Sequence, residues 1–312
     1  MKKLVFNALA FKEGFSTSMQ IKNSLNKQET YLKNSFVSLK SSLIQNPDVD
    51  AILFVNEDIP LKYKEKFEDN GIKVHKIEFS EFILPKEFNW SLAFFKLEAL
   101  KYAVQNLAYE KYLMLDTDTF VVNQLEDLWI ECNNGILLYD VDHKVSHPHR
   151  KEIYENMHKY TKNNRLINHY GGEFIAGNRD KMIELVQNLY EEYNQMYLNK
   201  DILDKSLGDE YLLSIVADRM KESIIRGNKY IYRYWTSKFY LVSTNYKFNA
   251  VDIWHIPQEK EFGMIKLYNY FIKNNKFPPK NKISKMMGFP SYIPPLGKII
   301  KKLIKKISYF KL

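Results

Sequence analysis

The first 115 residues repeat one order three times: a short apolar run fit for a strand, a segment with helical spacing, then the next run. Leu4 to Ala10, Ala51 to Val55 and Ile72 to Phe79 read as strands bounded by polar stretches. Between them, Leu32, Phe36, Leu39 and Leu43 recur at helical spacing, and Pro60 to Asn70 reads as a polar helix closed by Gly71. A longer helix is expected from Ser91 to Gln105, with Leu92, Phe95, Ala99 and Tyr102 on one face. Strands joined through helices pair in parallel, so the expected fold is α/β with a mostly parallel central sheet flanked by helices. Such a sheet offers ligands the crevice outside the carboxyl ends of its strands.

With 312 residues, 45% of them hydrophobic, the chain can bury one large core with appendages. No run of about 18 apolar residues occurs, and Met1 to Phe15 lacks the pattern of a secretory signal, so a cytoplasmic body is expected. A single cysteine, Cys132, rules out an internal disulfide and fits a small buried hydrophobe in a reducing compartment. Charge is divided unevenly. Twelve lysines and no acid or arginine follow Glu261, so the net +9 separates into +12 for residues 262–312 and −3 for residues 1–261. A nucleic-acid binder would spread its basic charge over the folded surface, and no nucleic-acid-reading motif accompanies this tail. The expected division is a domain over 1–261 and a basic extension over 262–312.

After the long helix comes a strand, Tyr112 to Leu115, which ends in Asp116-Thr117-Asp118. Phe120 to Val122 leads away, and Gly135 to Tyr139 reads as a further strand. Residues 143–169 are polar, hold five of the seven histidines and read as an inserted or acceptor-binding loop or a helical excursion. The spacing of His143, His147, His149, His158 and His169 matches no compact zinc pattern. Gly171 to Gly177 is a glycine-rich strand entering a helix over Asp180 to Tyr197, Gly208-Asp209-Glu210 heads another helix, and Ile224 to Ile256 is aromatic and strand-rich.

Asp-x-Asp occurs three times, at Asp48/Asp50, Asp116/Asp118 and Asp140/Asp142, and context separates them. The first lies in a polar turn before a strand, and the third opens directly into the histidine-rich insertion. The second stands where a buried strand delivers two carboxylates to the carboxyl edge of the sheet. Residues two apart on an extended chain face the same side, so both can address one hard cation; a surface turn is the plain alternative. A cation there can offset the charge of a departing diphosphate.

The segments Phe94-Phe95-Lys96-Leu97-Glu98-Ala99-Leu100 and Lys111 to Val122 resemble the donor-site core of GT-A glycosyltransferases, especially family 8 and related bacterial polysaccharide enzymes. Scattered likeness continues through Gly171 to Gly177, Gly208 to Leu213 and Trp254-His255, over about residues 1–260. The resemblance implies a GT-A fold and a metal-dependent transfer of sugar from a nucleotide-sugar, a UDP-sugar, to a saccharide or lipid-linked acceptor. It implies Mn²⁺ or Mg²⁺ on Asp116, Asp118 and His255, and donor contacts from Ala8, Ala10, Lys96, Asp116 and Lys260. Glu173, Asp209 and Glu210 are then the candidate catalytic carboxylates. Asp209 or Glu173 would serve as base in an inverting reaction or steady positive charge in a retaining one, with Glu210 as a next candidate. Family 8 usually has a glycine and a longer spacing between the residues matching His255 and Lys260, whereas this chain reads His255-Ile256-Pro257-Gln258-Glu259-Lys260.

Two other functions compete. A haloacid-dehalogenase-like phosphohydrolase also carries Asp-x-Asp after a strand, but that fold begins with the motif, whereas three strand-helix units precede Asp116 here. An inactive membrane-surface scaffold would use only the tail. In the tail, Leu296, Ile299, Ile300, Leu303, Ile304 and Ile307 line one face of an expected helix over 296–308, opposite Lys298, Lys301, Lys302, Lys305 and Lys306. This amphipathic basic helix is expected to lie on an anionic membrane, at its inner face, and to hold the domain there peripherally.

Overall fold

The computed structural model describes residues 2–12, 27–142, 146–162, 167–236 and 251–289. His143, residues 237–250 and the chain from 290 onward, with the expected helix over 296–308, lie outside the described residues. The strands are β1 (Lys3–Leu9), β2 (Val49–Val55), β3 (Ile72–Lys76), β4 (Lys111–Leu115), β5 (Thr119–Val121), β6 (Ile136–Asp140), β7 (Tyr170–Asn178), β8 (Ile224–Arg226), β9 (Ile231–Arg233) and β10 (Ile253–His255). Seven of them form a sheet in the order β3-β2-β1-β4-β7-β6-β8, and β5, β10 and β9 form a second, small sheet. All pairings in the large sheet are parallel except those of β7, which runs against both β4 and β6. The mostly parallel sheet expected from the strand-helix alternation is therefore present, with one reversed strand near its centre.

The helices are α1 (Lys27–Gln45), α2 (Leu61–Glu68), α3 (Phe95–Asn106), α4 (Glu126–Glu131), α5 (Pro148–Thr161), α6 (Arg179–Leu198), α7 (Asp209–Arg219), α8 (Gly263–Asn274) and α9 (Lys280–Met286). Gly71 follows α2 at φ +79°, a left-handed conformation that glycine adopts without a Cβ clash, and it turns the chain into β3. Asn178 caps α6 by accepting from the Lys181 amide at 3.0 Å. The region 143–169 holds a true helix, α5, started by His147 as cap and Pro148 in its first turn. The expected helix from Ser91 opens as a 3-10 turn over Ser91–Phe94 before α3, and β3 stops at Lys76 rather than Phe79.

Alternation along the strands sends side chains into two apolar layers. On β4, Leu113 and Leu115 join the layer under α1, while Tyr112 and Met114 join the layer under α3, α6 and α7. The first helix after Glu261, α8, packs on α1. Met264, Leu267, Tyr268 and Phe271 of α8 are buried in the α1 layer, with Phe36 5.3 Å from Tyr268 and 5.5 Å from Phe271 between ring centres. Among the described residues no helix is long and apolar enough to cross a membrane.

Candidate active site at the carboxyl edge of the sheet

The reversal of β7 assembles the site. Because β7 runs against β4, its first residues lie where β4 ends, and the Asp116 amide donates to the Glu173 carbonyl at 3.0 Å. Across the Asp116 to Asp118 turn, held by Thr119 Oγ1 donating to the Asp116 carbonyl at 2.9 Å, the chain enters β5. β10 then sets His255 opposite Thr119, and its far neighbour β9 sets Arg233 opposite His255. α7 begins at Asp209 and packs on β7. Five segments, the β4–β5 turn, β7, β10, β9 and α7, thus converge on one edge.

One oxygen each of Asp116 and Asp118 and one ring nitrogen of His255 lie within 4.8 Å of one another, the one such group of potential ligands found among the described residues. Two carboxylates and an imidazole fit a Mn²⁺ or Mg²⁺ ion, the imidazole favouring the softer Mn²⁺. Cations of the protein already stand on these oxygens. Lys260 Nζ is 2.9 Å and His255 Nε2 3.2 Å from Asp118 Oδ2, while Lys96 Nζ donates to Asp116 Oδ1 at 2.9 Å. Burial alone would raise the Asp118 carboxyl, but Lys260 and His255 outweigh it and hold the group well below the usual range. Burial likewise opposes charge on His255, and Asp118 and Glu173 overcome it, pushing the imidazole up to about 9. Lys260 is also raised, with Asp118 outweighing burial.

Lys96 reaches in from α3, 3.0 Å from Asp209 Oδ2 and 3.1 Å from the Gly172 carbonyl. Its charge is strengthened by Asp116 and Asp209 against the cost of burial. Asp209 behaves differently from the other shifted carboxylates of the cluster. Burial first, then the neighbouring charges of Asp116 and Glu210, push it up to about 6 despite Lys96. Glu173 goes down to about 2, because Arg233 and His255 outweigh its burial. Glu210 is held well below its usual value by Arg233 and His169.

The expected site residues therefore fall into two linked groups. Asp116, Asp118, His255, Lys260, Lys96 and Asp209 form the first. Glu173 and Glu210 form the second with Arg233 and His169, neither of which is among the expected site residues. Arg233 donates to both oxygens of Glu173 and to Glu210 Oε1, each at 2.6 Å, and His169 Nε2 lies 2.8 Å from Glu210 Oε2. An arginine inside the aromatic run Ile231-Tyr232-Arg233-Tyr234 was the available signal, since a charge in such a strand needs a buried partner. His169 is the histidine of the 143–169 cluster that reaches this group; His147 and His149 stand at the start of α5, and His158 stacks on Tyr154.

What Gly171 and Gly172 make room for in the structure is carboxylates. A Cβ on Gly172 would lie 1.8 Å from Asp209 Oδ2, and one on Gly171 2.0 Å from Glu173 Oε2. Ala8 lies half-buried in β1, just before its last residue Leu9, and Ala10 lies buried just beyond the strand; Asn7 beside them donates to the Leu115 carbonyl at 2.7 Å, which ties the ends of β1 and β4 together. The other two Asp-x-Asp pairs serve local structure. Asp48 pairs with Lys3 at 2.7 Å, Asp50 accepts from Tyr109 at 2.8 Å, and Asp140 accepts from the Asp142 amide at 2.8 Å while pairing with Arg226 at 3.3 Å. Cys132 is buried, its thiol pushed up to about 12.

No protein-family model matches the chain. No curated protein matches it in sequence. Solved structures do match in fold. A galactosyltransferase, LgtC, in complex with donor and acceptor sugar analogs superposes with TM-score 0.52 at 14% identity, over 81% of this chain and 86% of that one. Mouse xyloside xylosyltransferase 1, apo form, superposes with TM-score 0.51 at 12% identity, over 82% of this chain and 97% of that one. An active-site mutant of LgtC gives TM-score 0.50 at 14% identity, over 94% and 84%. The chain has the GT-A glycosyltransferase fold, not that of a haloacid dehalogenase.

Proposed function

We propose that this protein is a metal-dependent glycosyltransferase that moves a sugar from a UDP-sugar to a saccharide or lipid-linked acceptor, in the synthesis of a bacterial surface polysaccharide. The observation that carries the reading is the convergence of Asp116, Asp118 and His255 on one point beside Lys96 and Asp209. Galactosyl and xylosyl transfer by the proteins of like fold supports a nucleotide-sugar donor.

Asp116, Asp118 and His255 would hold Mn²⁺ or Mg²⁺, which supplies charge compensation for the leaving diphosphate. Lys96 and Lys260, both charged and flanking these ligands, add positive charge on the same side. Ala8 and Ala10, at the end of β1, would contact the donor. Asp209 is the carboxylate for the reacting sugar. With its pKa near 6 it is ionised at neutral pH yet basic enough to take a proton or to steady positive charge. The basic tail is proposed to hold the protein peripherally on the inner, anionic face of a membrane. Thermal unfolding with UDP and Mn²⁺ tests the donor site. A rise in Tm that disappears when EDTA replaces Mn²⁺ is expected, since a ligand at about 100 times its Kd adds about 2.7 kcal/mol. No rise with UDP or any other nucleoside diphosphate in Mn²⁺ would refute the reading.

A further inference from the structure

We infer that Glu173 is a positioning residue for His255, clamped in place by Arg233, and is not a reacting base. The inference rests on the proposal that His255 binds the metal. Glu173 is 1% exposed, and both of its oxygens are taken. Oε1 accepts from His255 Nδ1 at 3.0 Å and from Arg233 Nε at 2.6 Å, and Oε2 accepts from Arg233 Nη2 at 2.6 Å. Oε2 also sits in the space beside Gly171 where a Cβ would stand, 2.0 Å from such a Cβ. A base needs a lone pair directed at the substrate proton, and this carboxylate directs its oxygens at two cationic side chains of its own protein.

The same contacts suit a different task. An imidazole that donates Nδ1–H to a carboxylate has its ring orientation fixed and its Nε2 aimed away from that partner. Here Nε2 faces Asp118, at 3.2 Å, on the side of the ligand cluster. Arg233 arrives by the same small sheet as His255, opposite it in the β9–β10 register, so one structural unit carries the ligand and the clamp of its orienting carboxylate. Arg233 also donates to Glu210, which His169 holds from the far side. The row His255, Glu173, Arg233, Glu210, His169 therefore ties the ligand cluster to the start of α7 and to the segment leading into β7.

The test uses the full chain, with Mn²⁺ binding followed by electron paramagnetic resonance of free Mn²⁺ and turnover measured at saturating Mn²⁺. Glu173→Ala should weaken Mn²⁺ binding by about 10–100-fold. Glu173→Gln, which keeps the shape and an acceptor oxygen, should lose less and retain kcat within about threefold, whereas loss of a base lowers turnover by about 100-fold or more. If Glu173→Ala does not fold, Glu173→Gln decides alone. Unchanged Mn²⁺ affinity with collapsed turnover overturns the positioning role and restores Glu173 as a reacting group. Equal, negligible Mn²⁺ binding by the wild type and Asp118→Ala overturns the metal reading itself, and the inference with it.

Discussion

Replacing Gly172 by alanine tests how tightly the site is built. The new Cβ would stand 1.8 Å from Asp209 Oδ2 and 3.1 Å from Lys96 Nζ, so the oxygen must retreat by about 1.6 Å to reach an ordinary contact of 3.4 Å (3.4 − 1.8). Asp209 is 5% exposed and is the first residue of α7, so the retreat means either a rotated side chain that leaves Lys96 or a shifted helix end. Overpacking of this kind costs about 1–3 kcal/mol. For a chain of this size that lowers Tm by about 2 °C per kcal/mol. A displacement beyond 1 Å at a reacting group lowers turnover by about 100-fold. Circular-dichroism melts and UDP release from a UDP-sugar would follow both effects. The double variant with Asp209→Ala supplies the control: with the oxygen gone, the stability cost of Gly172→Ala should largely disappear. A Gly172→Ala protein with wild-type Tm and turnover, or the same stability cost in both backgrounds, would refute the reasoning.

Arg233→Met should destabilise the fold by about 3–5 kcal/mol at neutral pH, because it strands Glu173 and Glu210 without their shared cation. The folded pKa of Glu173 is depressed to about 2 from 4.5, so the stability it contributes is present above 4.5 and lost as pH falls through 2; in urea unfolding the variant's deficit should narrow below pH 4.5, and a deficit constant with pH would count against the pairing. Asp209 has the opposite sign: its pKa is raised to about 6 from 3.8, so its ionisation weakens the fold as pH climbs between those values, and kcat/KM should fall as pH drops through about 6. Lys96→Met should move that acidic limb upward, since the lysine lowers the pKa of Asp209; an unmoved limb assigns it to another group. Truncation after Ile293 should leave transfer to a small soluble acceptor intact and abolish salt-sensitive binding to anionic liposomes, whereas equal liposome binding by both forms would place the anchor elsewhere.

Much of the architecture was legible because it is written in local periodicity. The strand-helix units before Asp116 and the apolar run leading to it dictate a parallel sheet with carboxylates at its edge. The antiparallel course of β7 is not visible in Gly171 to Gly177, since periodicity carries no direction. Yet that course brings Glu173 beside Asp116. Arg233 and His169 escaped for a related reason: their partners lie 60 residues from Arg233 to Glu173 and 41 from His169 to Glu210, distances that only the assembled sheets close. His255 was found through resemblance, and its carboxylate partner through geometry. The lysine-rich composition after Glu261 marks charge and says little about packing: the apolar face of α8 packs on α1, and α9 packs on α8.

The central claim is that Asp116, Asp118 and His255 support metal-dependent sugar transfer at this edge. It is tested most directly by UDP release from a panel of UDP-sugars, with and without an acceptor, in Mn²⁺ and in excess EDTA, for the wild type and Asp118→Ala. The account predicts release from at least one donor in Mn²⁺, and a loss of about tenfold or more both in EDTA and in the correctly folded Asp118→Ala protein. Release that proceeds equally well in EDTA, or undiminished in Asp118→Ala, would contradict it.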